Sequence, residues 1–269
     1  MPVIQSLERK VMEYFRNFWG HRYLLAELVK KGIKLKYRRS YLGIIWSLLE
    51  PLLTTIVLTV VFGTLFGVKD QSYPLYVLCG RLLFSLFSSG TTSAMKSIRD
   101  NAGMIKKVYV PKYLYPMASI LFNFVIFLIS LIILIPLSLY CGIYPKASWL
   151  LIFVPLILLL MLTFGVGMIL ATVNVFFRDM EYLWEVFKLL IMYMSAVFYY
   201  PERLLDSPYA FLLKYNPLYC IIEMFRYVLI GGETYSIHHA EYAFGSSLIL
   251  IVIGCIAFYK KQDKFILNI

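Results

Sequence analysis

The sequence is poor in charged residues, which occupy only 15% of its 269 positions, while 61% of the positions are hydrophobic. A soluble domain has about 25% charged and about 45–50% apolar residues, so this composition excludes an ordinary soluble fold. The net charge of +11 lies in blocks beside long apolar runs, where topology and lipid headgroups explain it better than nucleic acid does. We therefore predict an all-α membrane protein with several spans and no nucleic-acid partner.

Motifs for nucleotide, acyl or metal chemistry are also missing. The sequence has no GxxxxGK[ST] phosphate loop, no GxSxG and no HExxH. Its four cysteines (Cys79, Cys141, Cys220 and Cys255) have no paired spacing, and its three histidines fall on opposite sides of the predicted membrane. We expect no metal, no catalytic residue and no cofactor in this chain, so any energy that its function requires must come from elsewhere.

A membrane-embedded glycan transferase is an alternative, because such enzymes use acidic residues near the cytosolic face. Only Glu50, Asp100, Asp179 and Glu181 lie there, and they are not grouped as Asp-Asp or Asp-x-Asp. A passage or scaffold explains the sequence better than an enzyme does.

Long apolar runs are what the sequence has instead. A helix of about 20 residues crosses a hydrocarbon layer of about 30 Å, and we predict six such spans, over residues 43–66, 74–94, 117–139, 149–176, 182–199 and 244–259. Residues 1–41 place basic and apolar side chains on opposite faces, which predicts two amphipathic helices at the membrane surface. The apolar runs of residues 200–242 are too short to span, which suggests re-entrant outer helices.

The distribution of basic residues predicts the orientation. With six spans, 19 Lys and Arg residues fall on the side of both termini and five fall on the opposite side. Basic residues accumulate on the cytoplasmic side of membrane proteins, so both termini should be cytosolic. Residues 1–41 would form a cytosolic interface region, and residues 42–269 the six-helix domain.

Four stretches carry a resemblance to a known family: YRRSYLGIIWSLLEPLL, NAGMIKKVYVPKYLYP, VNVFFRDMEYL and YNPLYCIIEMFR. They resemble the permease subunits of ABC-2 type exporters, in the branch that exports polysaccharides and polyol phosphates such as O-antigen and teichoic acid. The resemblance implies a homodimer in the bacterial cytoplasmic membrane that works with two copies of a separate ATPase. The partner would bind ATP and Mg, and the cargo would be a polymer linked to undecaprenyl (pyro)phosphate. An ABC-2 permease for a different lipid or a drug is the nearest alternative.

The resemblance also implies where the ATPase acts. The cytosolic connection over residues 95–116 would be the coupling segment, and it is the longest polar connection on the predicted cytosolic side. The residues expected to contact the ATPase are Ile98, Arg99, Asn101, Ile105, Lys106 and Lys107, with a second, smaller contact at Arg178 and Asp179.

Two further sites are predicted for the cargo. The amphipathic helix over residues 25–37 resembles a gate helix, whose cations suit an anionic lipid pyrophosphate or, equally, ordinary anionic lipids: Lys30, Lys31, Lys34, Arg38 and Arg39. Channel-lining candidates are Glu50, Arg81, Tyr193, Phe198, Tyr199 and Tyr200. Glu50 and Arg81 depart from the family pattern, and Arg81 could either snorkel outward or face a polar cavity.

Overall fold

The computed structural model describes residues 20–38, 40–68, 70–108, 110–231 and 234–269. In this part of the chain helix dominates, at 81%, and no strand occurs. The all-helical prediction is therefore confirmed. The first of the two predicted amphipathic helices, and Arg39, lie outside the described residues.

Thirteen helices are described, and we number them in chain order. They are α1 Arg22–Tyr37, α2 Trp46–Phe66, α3 Tyr73–Asp100, α4 Ala102–Ile105, α5 Leu114–Ser130, α6 Leu134–Tyr140, α7 Phe153–Phe176, α8 Met180–Tyr193, α9 Glu202–Leu205, α10 Phe211–Lys214, α11 Pro217–Arg226, α12 Ile237–Lys261 and α13 Phe265–Asn268. Short 3₁₀ turns lead into α2 and α7 and join α5 to α6.

Four helical stretches of the described chain are long and apolar enough to cross a membrane. They are Gly43–Leu65, Leu114–Tyr140, Ala147–Phe176 and Ile237–Asn268. Each covers one of the predicted spans, and the last is longer than predicted at both ends. Pro51 lies inside α2, more than one turn after its start, where it removes a main-chain donor that would otherwise pair with the carbonyl four residues earlier.

The other two predicted spans contain α3 and α8, which are not among these four apolar stretches. α3 has 28 residues and a length of about 42 Å, but it carries Arg81 and a charged C-terminal turn, and it contributes more buried hydrophobic residues to the core than any other described helix. α8 has only 14 residues, or about 21 Å, because it ends at Tyr193. The predicted helix over residues 182–199 was therefore too long by six residues at its C-terminal end.

Close helix contacts at glycines organise the core. α7 packs between α3 and α12. A Cβ atom on Gly165 would lie 2.7 Å from the main-chain nitrogen of Ile251, and one on Gly254 would lie 2.8 Å from the carbonyl oxygen of Gly165. Small residues let membrane helices approach until their backbones touch. These glycines therefore join α7 and α12 into one closely packed pair.

The segment between α8 and α12 folds as short helices instead of a single loop. α9, α10 and α11 are followed by a wide helical turn over Tyr227–Gly231. Asn216 begins α11, since its side-chain oxygen accepts hydrogen bonds from the main-chain nitrogens of Leu218 and Tyr219, at 3.0 and 3.4 Å, and Pro217 occupies the first turn. α11 is buried along its whole length and packs against α12, α7 and α3.

Candidate coupling and translocation sites

The predicted coupling segment begins inside a helix. α3 continues past residue 94 to Asp100, and α4 and a turn at Lys106–Val108 follow. Ile98 is fully buried and Ile105 is 7% exposed, both in a cluster with Phe258 and Phe265. Their side chains anchor the segment to its own chain, which argues against a direct contact of these two isoleucines with the ATPase.

Other side chains form the outward face of this segment. Met104 and Val108 are 37% and 53% exposed, and the side chains of Lys106 and Lys107 are exposed beside them. The face thus combines two apolar groups with two cations, which suits a partner surface with acidic and apolar groups.

Glu181, at the start of α8, links the predicted coupling segment to the turn between α7 and α8. One of its carboxylate oxygens accepts a hydrogen bond from Arg99 Nη1 and lies 3.4 Å from the amide nitrogen of Asn174, and the other lies 3.1 Å from Lys96 Nζ. The same Asn174 nitrogen donates to the carbonyl of Met95 at 3.1 Å. Asn101 takes no part, since its amide donates to the carbonyl of Ser97 within its own turn.

The charge network also sets the titration of Glu181. Partial burial alone would raise the pKa of its carboxyl group, but the hydrogen bonds from Lys96 and Asn174 and the charge of Arg99 bring it below the ordinary value of 4.5. The stabilisation from this depressed pKa is fully present above pH 4.5 and is lost as the pH falls through the lower folded value. At neutral pH the link is intact.

Sequence reasoning considered Glu181 only as a possible enzyme acid. The available signal was that it follows Arg178 and Asp179 by two to three residues, opposite a segment with a large excess of cations. Arg178 and Asp179 themselves are exposed on the turn before α8 and remain accessible to a partner.

The predicted gate helix α1 lies along α5. Leu25 is buried against Leu114 and Ala118, and a Cβ on Gly32 would lie 2.9 Å from the ring of Phe122. The opposite face is exposed and basic, with Lys30, Lys31, Lys34 and Arg38. Lys30 is paired with Glu27 at 2.8 Å.

A polar groove lies where α1 meets the start of α2. It has a volume of about 90 Å³, and its polar lining comes from Lys36, Tyr37, Ser47, Glu50, Ser85, Ser89, Asn123 and Ser130. Partial burial lowers the pKa of Lys36, and the Glu50 carboxylate opposes that shift. Arg81 Nη2 lies 3.8 Å from a carboxylate oxygen of Glu50. The two residues that depart from the family pattern therefore form a loose ion pair beside this groove.

Three of the four predicted aromatic residues are in ring contact at the end of α8, Tyr193 with Phe198 and Phe198 with Tyr199. Tyr200 packs against Tyr73 and Tyr76 of α3 instead. Tyr193 is 50% exposed, and Tyr199 and Tyr200 are half-buried. Phe198 is only 4% exposed and stacks on Phe62 with 4.5 Å between ring centroids. Its burial argues against a lining role for Phe198. Its ring instead packs against those of Phe62, Tyr193 and Tyr199.

The main chain after α8 is held by side chains from distant helices. Asn216 Nδ2 donates to the carbonyl of Met194 at 2.8 Å, and the hydroxyls of Tyr73 and Tyr76 donate to the carbonyls of Phe198 and Tyr199 at 2.6 and 3.0 Å. Non-helical backbone at membrane depth needs such partners, because lipid offers none.

Arg226 is the centre of this arrangement and is 3% exposed. Its guanidinium donates to the carbonyls of Ala196, Val197 and Tyr76 at 2.9–3.3 Å and to a carboxylate oxygen of Glu223 at 3.1 Å. It also lies 3.5 Å from the centroid of the Tyr76 ring. Sequence reasoning counted Arg226 only among the five basic residues of the predicted outer segments and gave its side chain no role.

A metal centre finds no support in the described part of the chain, where no group of three or more His, Cys, Asp or Glu side chains comes together. Cys79, Cys141 and Cys220 are buried free thiols, and Cys255 is an exposed one.

Long apolar helices, the charge network around Glu181 and the polar groove are together typical of a helical membrane protein. The family model described as "ABC-2 type transporter" matches residues 23–230, and the chain belongs to that family. Its members are transport permeases, so this chain is a transport subunit and not an enzyme.

Curated relatives match along almost the whole chain. The chain is 28% identical over 244 residues to "O-antigen export system permease protein RfbA" of Klebsiella pneumoniae, covering 90% of this chain and 93% of that protein. It is 24% identical over 253 residues to the Myxococcus xanthus protein of the same name, covering 93% and 96%. It is also 24% identical over 257 residues to "Polysialic acid transport protein KpsM" of Escherichia coli, covering 94% and 98%.

Proposed function

We propose that this chain is the permease subunit of an ABC exporter that moves a lipid-linked polysaccharide outward across the bacterial cytoplasmic membrane. The observation that carries the proposal is the similarity over at least 90% of the chain to O-antigen and polysialic acid permeases. The cargo would be a glycan on undecaprenyl (pyro)phosphate, and a separate ATPase would bind ATP and Mg and supply the energy.

The proposed topology has six passes with both termini in the cytosol. The four apolar helices would supply four passes and α3 the second, while α8, about 21 Å long, would supply the fifth together with residues 194–199 that follow it. α9 to α11 would then lie in the outer leaflet as re-entrant helices. The two polar residues at the ends of α11, Asn216 and Arg226, contact the main chain that follows α8. The excess of basic residues on the predicted cytosolic side supports this orientation.

A homodimer with two ATPase subunits is the proposed assembly. α2 and α8 bury little of their surface within one chain: only 11% of the apolar window of α2 is buried, and Trp184 is the one buried residue described on α8. Apolar side chains on α8 are similarly exposed, among them Val186, Leu189 and Leu190. A second copy could pack on these faces and enclose a passage between the two chains.

The lipid-linked end of the cargo would enter beside α1. The exposed cations Lys30, Lys31, Lys34 and Arg38 would attract its phosphate groups, and the neighbouring polar groove offers hydroxyl and amide groups at the foot of α2. Glu50 and Arg81 would form part of this path.

At the outer end, Tyr193, Tyr199 and Tyr200 would give the polymer aromatic faces to slide along. Replacing Tyr199 and Tyr200 together by alanine should reduce export of long polymers more than it reduces ATP hydrolysis. The measurement is the length distribution of surface glycan beside the hydrolysis rate, and an equal loss of both would contradict a lining role.

Deletion of the gene tests the proposal most simply. The surface should lose one polysaccharide while its lipid-linked form accumulates inside the cell, and expression of the intact chain should reverse both effects. Unchanged surface glycan together with an altered lipid or drug efflux would instead favour another ABC-2 cargo. Loss of the glycan without internal accumulation would favour the transferase alternative.

A further inference from the structure

The residues after α12 fold back onto the predicted coupling segment. We call Gln262–Ile269 the tail; it consists of a 3₁₀ turn and α13. Phe265 of the tail is fully buried, and its ring meets those of Phe258 and Phe176 edge-on, with centroids 5.1 and 5.8 Å apart. The same apolar cluster contains Ile98 and Ile105 of the coupling segment. Phe265 thus joins the coupling segment to the ends of α7 and α12.

Two lysines of the coupling segment attach to the tail by hydrogen bonds. Lys112 Nζ donates to the main-chain oxygen of Gln262 at 2.9 Å, and Lys106 Nζ donates to that of Ile269. The two donors lie six residues apart and reach opposite ends of the tail. The tail is therefore held along its length by the segment that is expected to receive the ATPase.

The tail continues directly from α12, which is in backbone contact with α7 through Gly165 and Gly254. A displacement of the coupling segment that carries the tail with it would therefore reach α12 through the tail, in addition to reaching α7 through the direct packing of α3 on it. Fixing the orientation of α12 requires only basic residues at its end, and Lys260 and Lys261 already supply them. The orientation of α12 therefore does not explain why Phe265 is buried.

We propose that Phe265 is a positioning residue that makes the tail and the coupling segment one mechanical unit, so that ATPase movement is transmitted to α12 and α7. This inference rests on the proposed function, because it requires the segment to face the ATPase in the cytosol. The ATPase contact and the cargo path would be coupled because each shifts the arrangement of the same element, the α7–α12 pair.

The test compares variants of the full chain co-expressed with its ATPase. Phe265→Ala should lower glycan export about tenfold, a typical size for coupling between sites, while the ATPase still co-purifies and hydrolyses ATP. Phe265→Leu should restore export. Leu267→Ala is the matched control, since this tail residue is 84% exposed, and it should behave as wild type. Unchanged export by Phe265→Ala would overturn the proposal, and so would loss of ATPase binding.

A second experiment applies even where Phe265→Ala fails to accumulate in the membrane. Lys112→Cys and Gln262→Cys are joined by a short reducible crosslinker, with each single variant as a control for the exposed native Cys255. Export that continues while positions 112 and 262 are crosslinked supports movement of the tail and the coupling segment as one unit. Export that stops when they are joined and returns on reduction would overturn it. A wild-type sample without ATPase or glycan export would count against the proposed function instead.

Discussion

Replacement of Arg226 by leucine tests how the main chain after α8 is held. The change removes the donors for three carbonyl groups and leaves Glu223, 9% exposed, without its partner. Breaking a buried ion pair on one side costs about 3–5 kcal/mol, because a buried charge stays behind. Lysine should not substitute fully, since its single ammonium cannot match the planar donors that reach three different carbonyls.

The assay is equilibrium unfolding of the purified chain in mixed detergent micelles. We expect Arg226→Leu to lower the free energy of unfolding by about 3–5 kcal/mol. The double variant Arg226→Leu/Glu223→Leu should recover part of that loss, because the unpaired carboxylate is then absent. A single variant within about 0.5 kcal/mol of wild type would refute the reasoning, since that is the ordinary range for surface substitutions. A double variant no more stable than the single one would contradict the buried-charge explanation.

Three further predictions concern the cytosolic side and the core. Charge reversal at both Lys106 and Lys107 should weaken co-purification of the ATPase, and unchanged co-purification would remove both residues from the contact. Glu181→Gln should weaken the link of Glu181 to Lys96 and Arg99 by only about 1 kcal/mol, because this charge network is partly exposed. It should also lower the amount of glycan exported per ATP hydrolysed in proteoliposomes. An unchanged ratio of export to hydrolysis would contradict a role for the link in coupling. Gly165→Leu should lower the free energy of unfolding in micelles by about 1–3 kcal/mol, because the new side chain would overlap with α12. Gly245→Leu should have little effect, since a Cβ atom at that position has no other atom within 4 Å. Equal effects of the two substitutions would contradict the close contact of α7 and α12.

Hydrophobic patterning predicted the long helices well, because a membrane span is specified by its own residues. The first span was predicted over residues 43–66, and the structure has a 3₁₀ turn at Gly43–Ile45 followed by α2 to Phe66. Its limits are local, since polar residues precede it and Gly67 ends it in a left-handed conformation, with φ of +63°.

The end of α8 could not be predicted in the same way. Residues 194–199 remain largely apolar, so patterning extends the helix through them. What stabilises the break is a set of donors from other helices, above all Asn216 and Arg226, which follow it by about 20 and 30 residues. Their partners become visible only in the folded chain.

The site predictions show the same limit. Ile98 and Ile105 are apolar residues in a polar segment, a pattern that fits either a docking surface or an internal anchor. The tail decides between the two, because Phe265 completes the cluster that covers them. Likewise, Glu50 and Arg81 were each noticed alone, and only the packing of α2 on α3 brings their charges within 3.8 Å.

The central claim is that this chain is half of a transporter whose energy comes from a separate ATPase. The most direct test is to purify the tagged chain from its own cells in mild detergent and identify the accompanying proteins by mass spectrometry. The account predicts an ATPase with a phosphate-binding loop, in equal amount to the permease. The absence of any such ATPase across several detergents would contradict it.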